Sequence, residues 1–298
     1  MTDRDALHTV HPGDRWLVVV AHPDDEAFGC GSVIARAAVL GAEVTVACAT
    51  RGEAGEVQAG AVGGTGPDGG DLGALREAEL RRSAARLGVA RVELLGWRDS
   101  GFDGPAAPGT LAAAPLTEVA RVVRRRAAAL GPEVVVVLDG CDGHRDHRHV
   151  RQATRAALAG LPGPRPALWE HTLPNSLMRR WLAETSSGRG DDAYHALDPD
   201  SFGRPDREVT AVLDVRSVLD RREAAMAEHR SQRSPFAGLS PELRLAFLGT
   251  DHLVRVPLPP GPWPEPWRPA AGARPATHHW DCTTAGWRTG PSREAAAR

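Results

Sequence analysis

The sequence contains no lysine, so all 36 of its basic residues are arginines. Its four cysteines (Cys30, Cys48, Cys141 and Cys282) form no CxxC pair, which argues against a disulfide framework and favours a reducing, cytoplasmic setting. No window approaches about 18 continuous apolar residues, and residues 1–14 lack the apolar core of a signal peptide. We therefore expect no transmembrane segment and no secretory signal.

The charge and apolar content are those of an ordinary globular protein. The formal net charge of −2 gives no basic field for nucleic acid, and the 42% of apolar residues can build a sizeable core. We expect one domain over residues 1–257, with its core in 15–158 and a looser, substrate-side region in 159–257. The proline-rich stretch 258–298 is predicted to be a mobile tail. The oligomeric state is left open.

Apolar runs and helical periodicity alternate along the first half of the chain. This alternation predicts strands at 17–20, 43–49, 91–95 and 133–138, and helices at 27–40, 71–87, 116–130 and 150–158. A glycine-rich stretch, 60–70, is predicted to be a flexible loop. Weaker patterns predict strands at 167–171 and 209–215 and helices at 175–182 and 218–229, and the apolar segments 243–248 and 253–256 are expected to close the ordered part. The fold class is α/β, with a Rossmann-like, mostly parallel sheet flanked by helices.

Polar clusters follow each of the first four strands. Because the carboxyl ends of parallel strands meet at one edge of a sheet, these clusters are expected to build one site. The clusters contain His22, Asp24 and Asp25 after the first strand, Arg51 and Glu53 after the second, Asp99 after the third, and His144, Asp146 and His147 after the fourth.

Two of these clusters have the composition of a metal site. His22 and Asp25 are three residues apart at one strand end, and so are His144 and His147 at another. A single His/Asp pair would be read as a capped turn, whereas two clusters at equivalent positions favour metal ligation. A nitrogen and oxygen donor set without cysteine suits Zn²⁺ better than Fe²⁺ or Mn²⁺. Asp24 is then free for proton transfer.

The motif His22-Pro23-Asp24-Asp25-Glu26, together with His144-x-Asp146-His147, resembles the LmbE-like (PIG-L type) zinc-dependent N-deacetylases. The resemblance covers residues 15–158 well and 205–256 loosely. It implies a hydrolase that removes the acetyl group from an N-acetylated amino sugar, with a small N-acetylglucosamine-type conjugate as its partner.

The same resemblance implies a role for each motif residue. It implies zinc bound by His22, Asp25 and His147, with Asp24 as the general base. His144 would protonate the leaving amine or stabilise the tetrahedral intermediate, and Asp146 would orient His144 or His147. The residues that would hold the sugar or its aglycone are Arg51, Arg76 and Asp99, with Glu53 nearby.

Two departures from the family pattern leave alternatives open. Arg145 stands where the family usually has proline, and Asp142 stands where the mycothiol-precursor enzymes carry tyrosine, which weighs against that pathway. An amidase that cleaves a larger amide in a sugar–thiol conjugate is one alternative. A binding protein that keeps the metal without turnover is another, although the intact Asp24 argues against it. His229 is read equally as a helix-end cation or as a residue that lines the site.

Overall fold

The central strand, β1 (Arg15–Val20), is buried on both of its faces. The computed structural model describes residues 7–57, 71–102, 104–186 and 193–258. Trp16 and Val18 point into one apolar cluster, whereas Leu17 and Val19 point into a second cluster on the opposite face. Since side chains alternate along a strand, two covered faces require the nearly continuous apolar run from which the strand was predicted.

One sheet contains the seven strands found in the described residues. The other strands are β2 (Glu43–Cys48), β3 (Arg91–Leu94), β4 (Val134–Leu138), β5 (Ala167–Thr172), β6 (Ala211–Asp214) and β7 (Thr250–Val256). Their order is β3-β2-β1-β4-β5-β7-β6. The first five strands are parallel, and β7 is antiparallel to both β5 and β6. The prediction of a mostly parallel sheet is confirmed.

Helices cover both faces of this sheet. They are α1 (Asp25–Phe28), α2 (Gly31–Val39), α3 (Leu72–Leu87), α4 (Leu116–Leu130), α5 (Arg145–Ala159), α6 (Asn175–Thr185), α7 (Leu219–Met226) and α8 (Pro241–Leu248). Residues of α2, α3 and α7 belong to one apolar cluster, and those of α4 and α5 belong to the other. Among the helices described, none is both long and apolar enough to cross a bilayer.

Four predicted helices differ from those observed, and one of them, α6, continues to Thr185, three residues past its predicted end. The helix predicted at 27–40 is broken between α1 and α2, where a Cβ on Gly29 would lie only 2.7 Å from the Leu138 side chain. Helix α5 begins at Arg145, five residues before its predicted start, and α7 ends at Met226, so His229 lies beyond it. The loop predicted at 60–70 lies outside the described residues, as does the predicted tail beyond Leu258.

The strand order places a crevice at the carboxyl ends of β1 and β4. These neighbouring strands lead into helices on opposite faces of the sheet, α2 after β1 and α5 after β4. The connections therefore diverge and leave a gap above the two strand ends, which is where ligands bind in doubly wound folds. Both histidine-containing motifs follow these two strands.

Arg222 of α7 binds the end of the short helix α1. Its guanidinium, which is almost fully buried, donates hydrogen bonds to the carbonyl oxygens of Ala27, Phe28 and Gly29 at 3.1, 2.6 and 3.2 Å. It also lies 3.4 Å from the buried carboxylate of Asp251. The last carbonyl groups of a helix have no partner within it, so Arg222 supplies the bonds that α1 lacks.

Substitution of Arg222 by Met is expected to lower the free energy of unfolding by about 3–5 kcal/mol, because it leaves the α1 carbonyl groups without their donor and the buried carboxylate of Asp251 with only the His171 ring beside it. Urea unfolding of the purified variant measures this change. Arg216→Met is the matched control: it removes an exposed ion pair with Asp214 and should leave the unfolding midpoint unchanged. A loss in Arg222→Met no larger than in the control would contradict the proposed role.

Candidate metal centre

The loop after β1 directs one imidazole and one carboxylate inward. His22 is 6% exposed and Asp25 is 7% exposed. The Oδ2 atom of Asp25 accepts the backbone N–H groups of Ala21 and His22 at 3.1 and 2.9 Å. Because these bonds occupy Oδ2 and fix the carboxylate, Oδ1 is the oxygen that remains for another partner.

The second histidine motif lies at the start of a helix. His144 is the N-cap of α5, and its Nδ1 accepts the backbone N–H of Asp146 at 3.2 Å. His147 follows in the first helical turn. Residues three apart lie on the same face of a helix, and the rings of His144 and His147 accordingly stack with their centroids 4.8 Å apart. The helical start, which was not predicted, therefore brings both rings to the crevice.

Donor atoms of His22 and Asp25 both lie next to the ring of His147. The Nε2 atom of His147 lies 3.3 Å from Nδ1 of His22 and 3.2 Å from Oδ1 of Asp25. Tetrahedral zinc with bonds of about 2.0–2.1 Å needs ligand atoms about 3.3–3.4 Å apart, and these two separations match that spacing. On the third side, Nδ1 of His22 lies 3.7 Å from Oδ2 of Asp25, the oxygen that already accepts the backbone N–H groups.

Carboxylates hold the outward nitrogens of both rings. The Nε2 atom of His22 lies 3.2 Å from Oδ2 of Asp146 and 3.5 Å from Oδ1 of Asp99, and Nδ1 of His147 lies 2.6 Å from Oδ2 of Asp142. Histidines that bind metals characteristically donate their second nitrogen to a carboxylate in this way. Burial opposes protonation of His22, but Asp146 and Asp99 outweigh it and raise the pKa of His22 to about 9.

Asp146 contacts two of the histidines. The resemblance implied that it orients His144 or His147; its backbone N–H bonds Nδ1 of His144, and its carboxylate lies on His22. Two other donor sets have their ligand atoms all within 4.8 Å of one another: His22 with His144 and His147, and His22 with Asp99 and Asp146. We favour the set formed with Asp25, because the carboxylates of Asp99 and Asp146 already engage the outward nitrogen of His22 and Nδ1 of His144 already accepts the Asp146 N–H.

Asp24 lies beside these donors in a strained backbone conformation. Its φ of 126° makes it the one non-glycine residue with positive φ in the part of the chain that is described. Its Oδ2 accepts a hydrogen bond from Nη2 of Arg76 at 2.7 Å. Burial raises the pKa of Asp24 to about 6, an effect that the Arg76 guanidinium only partly offsets. This carboxylate can therefore exchange a proton near neutral pH.

His144 occupies the mouth of the site without a carboxylate on its ring. Burial, with the charges of His22 and His147, lowers the pKa of His144 to about 3, so the ring is neutral. Since its Nδ1 accepts the Asp146 N–H, the proton of the neutral ring is on Nε2. The ring of Phe102 packs edge-on against it, with centroids 5.5 Å apart. No sequence pattern predicted this aromatic contact.

Three of the four predicted substrate-binding residues lie at the centre. Glu53 accepts the backbone N–H of Asp99 at 3.2 Å, and Asp99 in turn faces His22. Arg76 is 3% exposed and also donates to the carbonyl oxygens of Pro23 and Gly52, so its contacts are with the motif itself. Arg51 points instead towards α3, where it pairs with Asp71 and Glu77. Their contacts with substrate stay predictions.

Comparison with known proteins identifies the family. The sequence profile described as "PIG-L: GlcNAc-PI de-N-acetylase" matches residues 17–158. A 1D-myo-inositol 2-acetamido-2-deoxy-alpha-D-glucopyranoside deacetylase from Thermomonospora curvata is 32% identical over 273 residues, which cover 83% of this chain and 92% of that protein. The chain belongs to the PIG-L family. The resemblance stated from the two histidine motifs is thus confirmed.

Solved structures share the PIG-L fold. The N,N'-diacetylchitobiose deacetylase from Pyrococcus horikoshii superposes with a TM-score of 0.54 at 19% identity, covering 82% of this chain and 84% of that one. The 4-carboxy-2-hydroxymuconate hydratase from Pseudomonas putida superposes with a TM-score of 0.51 at 21% identity, covering 87% and 100%. Because one of these neighbours is a hydratase, the fold alone does not determine the reaction, and the site must carry that argument.

Proposed function

We propose that this chain is a zinc-dependent N-deacetylase that hydrolyses the acetamide of an N-acetylglucosamine conjugate. The observation that carries the proposal is the approach of donor atoms of His22 and Asp25 to Nε2 of His147, with the Arg76-bonded carboxylate of Asp24 in the same motif. Three protein ligands with nitrogen and oxygen donors are typical of catalytic zinc. Bound there, zinc supplies a Lewis acid that polarises a carbonyl group and lowers the pKa of water at the site.

The protein side chains have complementary roles in the reaction. Asp24 removes a proton from water as the oxygen attacks the acetamide carbon, and it returns that proton to nitrogen as the C–N bond breaks. Acetate and a free amine leave. His144 donates from Nε2 to the oxyanion that develops on the carbonyl oxygen. Of the two roles that the resemblance allowed for His144, the neutral ring favours stabilisation of the oxyanion over protonation of the amine.

A substrate with an inositol aglycone is the first to test. The relative from Thermomonospora curvata is named for a 2-acetamido sugar joined to inositol, and 92% of its length aligns with this chain. Asp142, which bonds His147 here, is the residue that distinguishes this chain from the tyrosine-bearing enzymes. We therefore infer an N-acetylated glucosaminide as the substrate class and leave the aglycone to be measured.

Acetate release across a panel of substrates tests the proposal. We expect stoichiometric acetate and free amine from at least one N-acetylglucosaminide among the inositol conjugate, N-acetylglucosamine and diacetylchitobiose. An acylcysteine amide of a glucosaminyl conjugate is the matched alternative, because an amidase would cleave it and release no acetate. If the protein cleaved only that amide, it would be an amidase and not a deacetylase. If it bound zinc but turned over no substrate, it would be a binding protein.

A further inference from the structure

A buried ion pair connects helix α1 to the segment after α7. The Nε2 atom of His229 lies 2.5 Å from Oε1 of Glu26, and the two residues are 2% and 0% exposed. Burial opposes protonation of His229, but the Glu26 carboxylate outweighs it and raises the pKa of the imidazole. A carboxylate removed from water needs such a partner, because an unpaired buried charge is strongly destabilising. His229 is therefore the group that keeps Glu26 in place.

The second oxygen of Glu26 reaches the backbone of Asp24. Oε2 accepts the Asp24 N–H at 2.9 Å. A non-glycine residue held at positive φ is strained and persists only where its surroundings enforce that conformation. The bond to Glu26 is one such constraint, and the bond from Arg76 to the carboxylate is another. Asp24 is thus fixed at its backbone and at its side chain by different residues.

The segment that carries His229 is itself rigidly attached. Two residues further on, Ser231 donates from its backbone N–H and its hydroxyl to the buried carboxylate of Glu79, at 2.9 and 2.6 Å. The His229 ring also packs against Phe28 of α1, with ring centroids 5.8 Å apart. Rigid support of this kind is what keeps a catalytic group within a fraction of an ångström of its working position.

We propose that His229, acting through Glu26, is a positioning residue that holds the backbone of Asp24 where the carboxylate can serve as the base. The inference rests on the proposed function for the role of Asp24, whereas its structural part, the path from His229 through Glu26 to the Asp24 N–H, can be measured without turnover. It assigns to His229 neither the helix-end role nor the site-lining role that the sequence allowed.

His229→Leu tests the proposal directly. We expect kcat to fall about a hundredfold, the cost of a misplacement of about 1 Å. KM and zinc content should stay unchanged, because the ring contacts neither substrate nor ligand atoms. Hydrogen exchange of the Asp24 amide should become faster. Thr185→Ala is the control, since it removes a buried hydrogen bond to the Trp181 carbonyl in α6, outside the path from His229 to Asp24: it should lower the melting temperature and leave kcat unchanged.

Variants of Glu26 test whether the effect passes through that residue. Glu26→Gln keeps an oxygen for the Asp24 N–H and an amide donor for the ring of His229, so it should retain most of kcat. Glu26→Ala should match His229→Leu, and the double variant should be no worse than Glu26→Ala alone, because residues in one chain of contacts are not additive.

Three results would overturn the inference. The first is a folded His229→Leu protein in which kcat and the exchange rate of the Asp24 amide are the same as in wild type. The second is a loss of zinc from that variant in parallel with its loss of kcat. The third is a double variant of His229 and Glu26 in which the two effects on kcat multiply. If wild type turns over no substrate in the panel while the Asp24 amide still responds to His229→Leu, the proposed function fails and the positioning contact stands.

Discussion

Asp24→Asn is expected to lower kcat by about three orders of magnitude while the protein keeps its stoichiometric zinc. Asparagine has the same shape as aspartate, its oxygen still accepts the bond from Arg76, and it tolerates positive φ better than most residues. The substitution therefore removes the proton acceptor and little else. Steady-state kinetics and metal analysis of the same preparation measure the two quantities together.

The control for this substitution is Asp200→Asn. Asp200 is an exposed carboxylate paired with Arg179, far along the chain from both histidine motifs, and its substitution should leave kcat unchanged. If Asp24→Asn kept the wild-type rate with a full complement of zinc, another group would have to accept the proton. The role assigned to Asp24, and with it the role of His229, would then be wrong.

Loss of the metal is expected to abolish turnover completely. His147→Ala removes one of the three proposed zinc ligands, the one whose Nε2 lies nearest to both of the others, so the purified variant should carry no zinc after gel filtration and release no acetate. Wild-type protein treated with a chelator should behave in the same way and recover on addition of zinc. Parallel reconstitution with Fe²⁺ and Mn²⁺ measures which metal supports the reaction best.

Asp142→Asn provides a graded version of this test. The carboxylate holds Nδ1 of His147 at 2.6 Å, and loss of such an outer partner raises the dissociation constant for zinc about 10–100-fold. His149→Ala is the control, since His149 lies two residues beyond His147 in the same helix and outside the donor set. Unchanged zinc affinity in His147→Ala would show that the ion is bound elsewhere.

The sequence predicted the position of the site better than its local structure. The apolar run of β1 and the valines of β4 identified two buried parallel strands, and polar residues after each identified the edge where they meet. The start of α5 was missed because residues 145–149 are all charged or imidazole and show no apolar period before Val150. The N-cap bond from the Asp146 N–H to His144 starts the helix there instead.

Contacts between distant segments were beyond the reach of local patterns. The position of Arg76 in α3 follows no pattern that distinguishes it from other helix residues. Its hydrogen bond to the carboxylate of Asp24 is visible only in the folded chain. His229 is separated from Glu26 by about two hundred positions, and no periodicity links them. The antiparallel edge formed by β6 and β7 was likewise not predicted, since strand direction depends on how the chain returns to the sheet.

The way α1 is held has a consequence for any attempt to shorten the protein. The region matched by the family profile, 17–158, contains every donor atom of the metal centre and the base. It contains neither Arg222, which satisfies the carbonyl groups of α1, nor His229, which neutralises Glu26. A shortened protein that ends at residue 158 would keep all the proposed metal ligands and the base, but it would lose the residues that hold α1 and Glu26 in position.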